Sequence, residues 1–555
     1  MVVPELRPWR AARPHVARFT GAVRPRLART AAAVRPRLAR TAAAVRPRLA
    51  RLRPSRPAGV ATAAGSRITR SVAWPATWSR TWRFTVVAAT AGTVLAAGAV
   101  TAAGPWDSTG RRTAEQDRAV ALEATRGTDH GDTRGNAGTP PRGPRTAPSA
   151  PSVLTGLGGG ATTVKSAPGG KALTGTLAPL LKSPAFGDLS ASVVDASTGR
   201  SVYGDDPGAA LTPASTTKIA TAVAVLTALG PDHRLTTRAT FEPDTKEVIL
   251  VGGGDPTLTA REKNPTGSAS LRDLAGRTAA ALAERGVREV TLSYDTTLYA
   301  GGERHPIGVN PNLAAITPLM ADEARVNDSV SGPADRVADP AADAARKFGA
   351  LLKGHGIKAT PPGPSKSTAR AGALATVSSP PLATLVERML TNSDNDLAEA
   401  LARQTAIAAG ERADFLGASA AVRAQLQKLG VPLKGAAFKD GSGLDRGNRL
   451  TAGLLTALLV KSGDPAHPEL RPALTGLPVA GFTGTLTGRY VDGAAGVVRA
   501  KTGTLTGVNA LAGTVVDREG RLLAFAFLAT GTTDPTAAQT ALDKAATALA
   551  ACGCR

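Results

Sequence analysis

A chain of 555 residues has room for more than one domain, and 60 glycines, 40 prolines and 3% aromatic residues place part of it outside any packed core. Its net charge of +24 would ordinarily argue for nucleic acid, but nineteen arginines, no lysine and a single acid, Glu5, put +18 of that charge in residues 1–83. The basicity therefore describes a tail, and without interleaved aromatic residues it predicts no nucleic-acid partner.

Within the tail the unit VRPRLARTAAA occupies residues 23–33 and again 34–44, and VRPRLAR follows at 45–51. A proline at the third position of each unit blocks a continuous helix, and eleven residues are too few for a solenoid repeat, so 1–83 is expected to be disordered. Anionic lipid at a cytoplasmic membrane face is the partner that this charge fits. Residues 84–104 carry no charge over 21 positions, enough for a transmembrane helix, and Arg80 and Arg83 before them predict a cytoplasmic N-terminus with the remainder outside. The alternative is a signal peptide cleaved near Ala97, Ala99 or Ala103; the long leader favours a retained, single-pass anchor, and both readings export the rest. Residues 105–170 have linker composition, and the GLGGGA at 156–161 follows no strand, so it is no dinucleotide fingerprint.

From residue 171 the pattern becomes globular. Strands are expected at 189–195 and in the STGRSVYG that follows, helices at 218–229, 271–285, 341–355, 382–390, 396–409 and 418–429, and a second hairpin at 508–516 and 522–528 around DREG. Strands at both ends with helices between imply an α+β domain, 171–555, whose sheet is assembled from its two termini, with an inserted subdomain at about 260–380. Cys552 and Cys554, in the terminal CGCR, receive no role.

The chemistry starts at residues 213–226, PASTTKIATAVAVL, where Lys218 is the only charge between Asp206 and Asp232. A lone ammonium in an apolar helix is costly unless paired or used. Ser215 lies one turn before it, so an amine whose pKa is lowered from about 10.4 can take the hydroxyl proton, and a helix N-terminus offers amides to an oxyanion. Taken alone, the tetrad reads more simply as a lysine snorkelling from a core helix. Ser393-Asp394-Asn395 in TNSDNDLAE and Lys501-Thr502-Gly503 in AKTGTL change that reading, because in this order the three motifs are those of penicillin-binding proteins and class A β-lactamases. No G-x-S-x-G or H-E-x-x-H occurs, and none of the six histidines lies in the three motifs. A Ser-His-Asp triad and a zinc peptidase are therefore disfavoured, and no metal or cofactor is expected.

Together with LVGGGDPTL at 250–258, SDNDLAEAL at 393–401, DGSGLDR at 440–446, LPVAGFTGTL at 477–486 and AKTGTLTGVNALAG at 500–513, these residues make the sequence resemble the penicillin-binding-protein 4 type of D-alanyl-D-alanine carboxypeptidase/endopeptidase, peptidase family S13. The resemblance implies a penicillin-binding-protein/serine β-lactamase-like transpeptidase fold, an antiparallel sheet flanked by helices with an inserted smaller domain. It implies Ser215 as nucleophile, Lys218 as general base, Ser393 as proton relay to the leaving amine, and Asn395 as holder of Lys218 and of the substrate amide. Lys501, Thr502 and Gly503 would meet the terminal D-alanine carboxylate, the amides of Ser215 and Thr504 would form the oxyanion hole, and a nearby Lys501 would help to lower the Lys218 pKa. Asp295 and Arg446 align with positions that contact the third stem-peptide residue, and ordinary surface charge is the competing reading for both.

Two features depart from the family: Asp445 stands where DGSGLS is usual, and the Ser215–Ser393 interval implies that a further inserted domain is missing or reduced to SGPADRVAD. The expected function is an exported serine DD-peptidase acting on peptidoglycan stem peptides and acylated by β-lactams. A β-lactamase is the alternative within the fold, opposed by the lack of an E-x-x-L-N segment, and a non-catalytic wall-binding or β-lactam-sensing module is the alternative outside enzymes.

Overall fold

The computed structural model describes residues 170–553 other than 265, 491 and 492. The basic tail, the span expected at 84–104 and the linker lie outside the described residues, except that Gly170 opens a helix; among the described residues no helix is long and apolar enough to cross a membrane.

Helix α1 (Gly170–Leu181) leads into the hairpin β1 (Asp188–Asp195) and β2 (Ser201–Asp205). Asp195 closes their turn, accepting from the amides of Ser197 and Thr198. Helix α2 (Thr217–Leu229) is buried at every position from Thr217 to Leu226, as a helix apolar all round must be. The chain then leaves for a second unit: β3 (Thr236–Glu242), β4 (Glu247–Val251), α3 (Leu271–Glu284), β5 (Glu289–Asp295), α4 (Pro340–Gly354) and β6 (Gly372–Ser378). It returns through α5 (Leu382–Asn392), α6 (Asn395–Ala408), α7 (Phe415–Lys428) and α8 (Ala452–Gly463). It ends with β7 (Val498–Leu505), β8 (Val508–Val516), β9 (Leu522–Thr530) and α9 (Pro535–Ala550).

The main sheet is antiparallel in the order β7-β8-β9-β1-β2, so the first strands of the domain pair with the last, Asp188 opposite Thr530 and Asp195 opposite Leu523. Successive residues of β8 and β9 point to opposite faces, and both faces are covered. Ala510, Ala512, Ala524, Ala526 and Leu528 pack with α2 and α5 to α8, the small side chains letting helices approach. Leu511, Val515, Phe525 and Phe527 pack with Leu173 and Leu177 of α1 and Leu542 and Leu549 of α9. Cys552, at the edge of this second layer, is buried and disulfide-bonded.

The second sheet runs 358–359, β5, β4, β3, β6, with β4 and β5 parallel across the α3 crossover. Ser270 caps α3 through the Asp273 amide and Asp339 caps α4 through the Ala342 amide. The two helices bury Leu274, Phe348 and Leu352 against Val248, Leu250 and Leu292. Because β3 and β4 belong to this sheet, the inserted subdomain begins at Thr236, earlier than the 260 expected, and ends at Ser378. Two short β patterns carry no sign of which sheet they join; pairing decides it. Residues 325–336 form a loop closed by the bridge between Arg325 and Arg336, and no further domain occurs there among the described residues.

Candidate active site

Ser215 sits in a single 3-10 turn, Ala214–Thr216, immediately before α2, and Ala214 adopts a positive φ of 46°. Two hydroxyls pin the turn, Thr216 Oγ1 donating to the Pro213 carbonyl (2.7 Å) and Thr217 Oγ1 to that of Ala214 (2.8 Å). Two glycines let other segments reach it. A Cβ on Gly503 of β7 would lie 2.6 Å from the Pro213 oxygen, and one on Gly443 would lie 1.9 Å from the Ala214 oxygen. Strand β7 and the loop 440–443 thus close on the nucleophile turn only because neither residue has a side chain.

Lys218 is wholly buried one turn beyond the serine. Its Nζ donates to Ser215 Oγ (3.2 Å), Asn395 Oδ1 (2.6 Å) and the Ser442 carbonyl (2.7 Å). Burial pushes its pKa down to about 8, with Asp440, Glu399, Asp394 and Asp396 pulling the other way. Of the two causes the sequence suggested, burial and a neighbouring cation, burial is the leading one. Lys501, also wholly buried, donates to the Thr502 carbonyl (2.9 Å) and is pushed well below its usual value, first by burial and then by repulsion from Lys218.

Ser393 joins α5 to α6 in the left-handed conformation (φ 57°), and Asp394 caps α6 by accepting from the Leu397 amide. The turn brings Ser393 and Asn395 into a cleft of about 360 Å³ with Ser215, Thr502 and Thr504. Asn395 Nδ2 donates to the Asn312 carbonyl (2.9 Å), which orients Oδ1 towards Lys218. Thr502 Oγ1 donates to Thr485 Oγ1 (3.0 Å), and Arg325 and Arg336 of the subdomain line the opposite wall. Arg446 lies exposed at the end of β7, its Nη2 donating to the Thr506 carbonyl (2.9 Å).

Asp295 is not brought to this cleft. It ends β5, and its two oxygens accept from the Thr297 and Ser367 amides (2.8 and 2.9 Å) beside a separate cavity of about 490 Å³. Asp445, the departure from DGSGLS, closes its own turn through the Gly447 amide. Several groups that the sequence did not single out complete the site: the Ser442 carbonyl, Asn312, Thr485, and the carboxylates of Glu399 and Asp440. All but Asn312 lie inside quoted motifs, Glu399 in SDNDLAEAL, Asp440 and Ser442 in DGSGLDR and Thr485 in LPVAGFTGTL, and this was the only signal for them.

Two buried clusters, His305 with Glu399 and Asp440, and Glu323 with Asp394 and Asp396, bring three ligating atoms within 4.8 Å of one another. Protein donors already occupy them. Glu323 takes Arg325 and Arg388, Asp396 takes Arg336 and the Ala314 amide, and Glu399 takes the amides of Gly441 and Ser442. This is the chemistry of proton-holding networks rather than of a metal site. Burial raises Glu323 to about 8, Glu399 to about 7 and Asp396 to about 6.

Residues 173–335 and 328–551 match the D-Ala-D-Ala carboxypeptidase 3 (S13) family. The chain belongs to this family. The chain is 37% identical over 402 residues to the carboxypeptidase DacB of Mycolicibacterium smegmatis, covering 69% of this chain and 85% of the relative. A D-alanyl-D-alanine carboxypeptidase of an Actinomadura species is 31% identical over 438 residues, covering 62% and 78%. The crystal structure of penicillin-binding protein 4 from Haemophilus influenzae superimposes with a TM-score of 0.55 at 20% identity, over 68% of this chain and 97% of that one, and so shares the fold. Within this S13 peptidase the three motifs converge on one cleft, with the inserted subdomain forming part of its wall.

Proposed function

We propose an acyl-transfer cycle on Ser215 as the way in which this serine-type D-Ala-D-Ala carboxypeptidase works. The observation that carries it is a buried lysine 3.2 Å from a part-exposed serine hydroxyl, with a pKa lowered to about 8. About one such lysine in ten is neutral at pH 7, which suffices for a general base. Ser215 Oγ attacks the penultimate D-alanine carbonyl and its proton passes to Lys218 Nζ; the oxyanion rests on the amides of Ser215 and Thr504. The C–N bond then breaks, and Ser393 Oγ gives its proton to the departing D-alanine nitrogen and regains one from Lys218. Water releases the acyl group by the reverse proton path.

Asn395 has two Nδ2 hydrogens, one on Asn312 and one for the substrate amide carbonyl. Lys501, Thr502 and Gly503 receive the terminal carboxylate. Arg446, bonded to the Thr506 carbonyl just beyond β7, would meet the third stem residue, whereas the Asp295 carboxylate is engaged in its own turn. The substrates are D-Ala-D-Ala stem peptides and, as an endopeptidase activity, D-alanyl cross-links of peptidoglycan; β-lactams acylate the same serine. Residues 84–104 hold the catalytic domain on the outer face of the membrane, and residues 1–83 lie against anionic lipid inside.

The test is D-alanine release from a stem pentapeptide, with intact-mass detection of a penicillin adduct, for the full chain and Ser215→Ala. Wild type should do both and the variant neither. Neither activity in wild type on several stem types would favour a non-catalytic wall-binding module, and rapid turnover of penicillin would favour a β-lactamase.

A further inference from the structure

Two of the three acceptors on the Lys218 ammonium are themselves held from the inserted subdomain, and one stretch of that subdomain, residues 303–316, reaches both. At its far end the Asn312 carbonyl takes Asn395 Nδ2 and the Ala314 amide donates to Asp396 Oδ1 (2.8 Å). At its near end His305, 3% exposed, places Nε2 3.0 Å from Asp440 Oδ2. The Ile307 amide donates to Nδ1 (3.2 Å), so Nδ1 bears the lone pair and Nε2 the hydrogen that points at Asp440.

Asp440 collects four further donors: the Asp445 amide (2.6 Å) and Ser442 Oγ (3.3 Å) on Oδ2, the Gly443 amide and Asn448 Nδ2 (both 2.8 Å) on Oδ1. These bonds fold residues 440–445 into the shape that aims the Ser442 carbonyl at Lys218, while Glu399 of α6 grips the Gly441 and Ser442 amides from the other side. Of the five donors on Asp440, His305 alone comes from outside residues 440–448. The charged groups facing the ring are Asp440 and Asp445 on the loop and Glu399 on α6, and Phe415 of α7 covers it edge-on at 5.3 Å.

We infer that His305 is a positioning residue for acyl transfer, an inference that rests on the acyl-enzyme reading above: its Nε2–H fixes Asp440, and through the 440–443 loop it fixes the carbonyl that receives the Lys218 ammonium. The inserted subdomain is then part of the catalytic machinery. Burial pushes the imidazole towards neutrality and the three carboxylates more than offset this, but a second proton on Nδ1 would displace the Ile307 amide, so the ring acts as a single-proton donor. Burial pushes the Asp440 carboxyl up, but its hydrogen bonds, His305 first among them, hold it below the usual range, and Asp440 is the foremost group raising Lys218. Losing the His305 hydrogen raises the proton affinity of Asp440. Four donors remain on Asp440, so it stays ionised across the working pH, the acid limb set by Lys218 keeps its place, and the loosened loop lowers the plateau.

The experiment measures acylation of the full chain by a fluorescent penicillin from about pH 6 to 10, with thermal melting in parallel, for wild type, His305→Leu and His305→Gln. His305→Leu should lose about tenfold in plateau rate with its acid limb unmoved, whereas His305→Gln, which keeps an N–H donor, should stay within about threefold of wild type. A His305→Leu variant with the wild-type plateau, or a His305→Gln variant as impaired as His305→Leu, overturns the inference. If His305→Leu does not fold, the imidazole ¹⁵N spectrum of wild type decides: a hydrogen on Nε2 with Nδ1 as acceptor supports it, and an Nδ1–H tautomer overturns it. Wild type that is not acylated at all fails the acyl-enzyme reading, a result separate from these.

Discussion

Two buried lysines stand on the two walls of one cleft, and their surroundings differ in kind. Lys218, on the helical wall, has three acceptors on its ammonium and feels four carboxylates, Asp440, Glu399, Asp394 and Asp396. Lys501, on the sheet wall, gives one bond to the Thr502 carbonyl, and no carboxylate pairs with it among the described residues. The helical wall therefore holds a cation near neutrality, where it can exchange a proton during the reaction. The sheet wall holds an amine that burial and Lys218 push towards neutrality, and a substrate ending in a carboxylate supplies the anion that stabilises its charged form.

The strongest way to break this contrast is Lys218→Arg. It keeps the charge but provides no neutral base, so acylation by penicillin should fall by about two to four orders of magnitude. Near-normal acylation would remove Lys218 from the base role and make the two lysines alike. Lys501→Gln probes the opposite wall. Hydrolysis of a peptide with a free terminal carboxylate should drop by about a hundredfold, and hydrolysis of the matching amide far less, because only the carboxylate loses its cation. Equal losses on both peptides would mean that Lys501 acts on the reaction itself.

The smallest effect sharpens the comparison through pH. With its pKa lowered to about 8, Lys218 is protonated and idle below that value and neutral above it. Acylation should thus rise about tenfold per pH unit on the acid side and level off above about 8. A limb centred instead near 6 to 7, where burial puts Asp396 and Glu399, would assign the base to a buried acid.

Much of the helical framework was legible, since α2, α3 and α4 begin within one residue of where periodicity put them. Helices α1, α8 and α9 were not anticipated. Their apolar residues, such as Leu173, Leu455 and Leu542, belong to the two layers that cover the main sheet, which exist only once its first and last strands have paired. The start of the subdomain was misplaced because TTRATFE and EVILV, for which no strands were expected, pair in the second sheet. In the site, Asp295 shows the same limit, because a carboxylate at a strand end reads alike whether it faces a substrate or, as here, bonds the amides of Thr297 and Ser367.

By itself the sequence determined the chemical parts and their local geometry. Three residues separate Ser215 from Lys218, so a helical turn alone brings them together, and alternation in β8 and β9 alone assigns their faces. Only the tertiary structure decided what surrounds Lys218. Asn395, His305 and the loop that carries Asp440 and Ser442 come from three separate segments of the chain, and each matters through a contact of 2.6 to 3.0 Å. Contacts of that length depend on how helices, sheet and subdomain pack, and a lysine's proton affinity depends on those contacts and on the water they exclude.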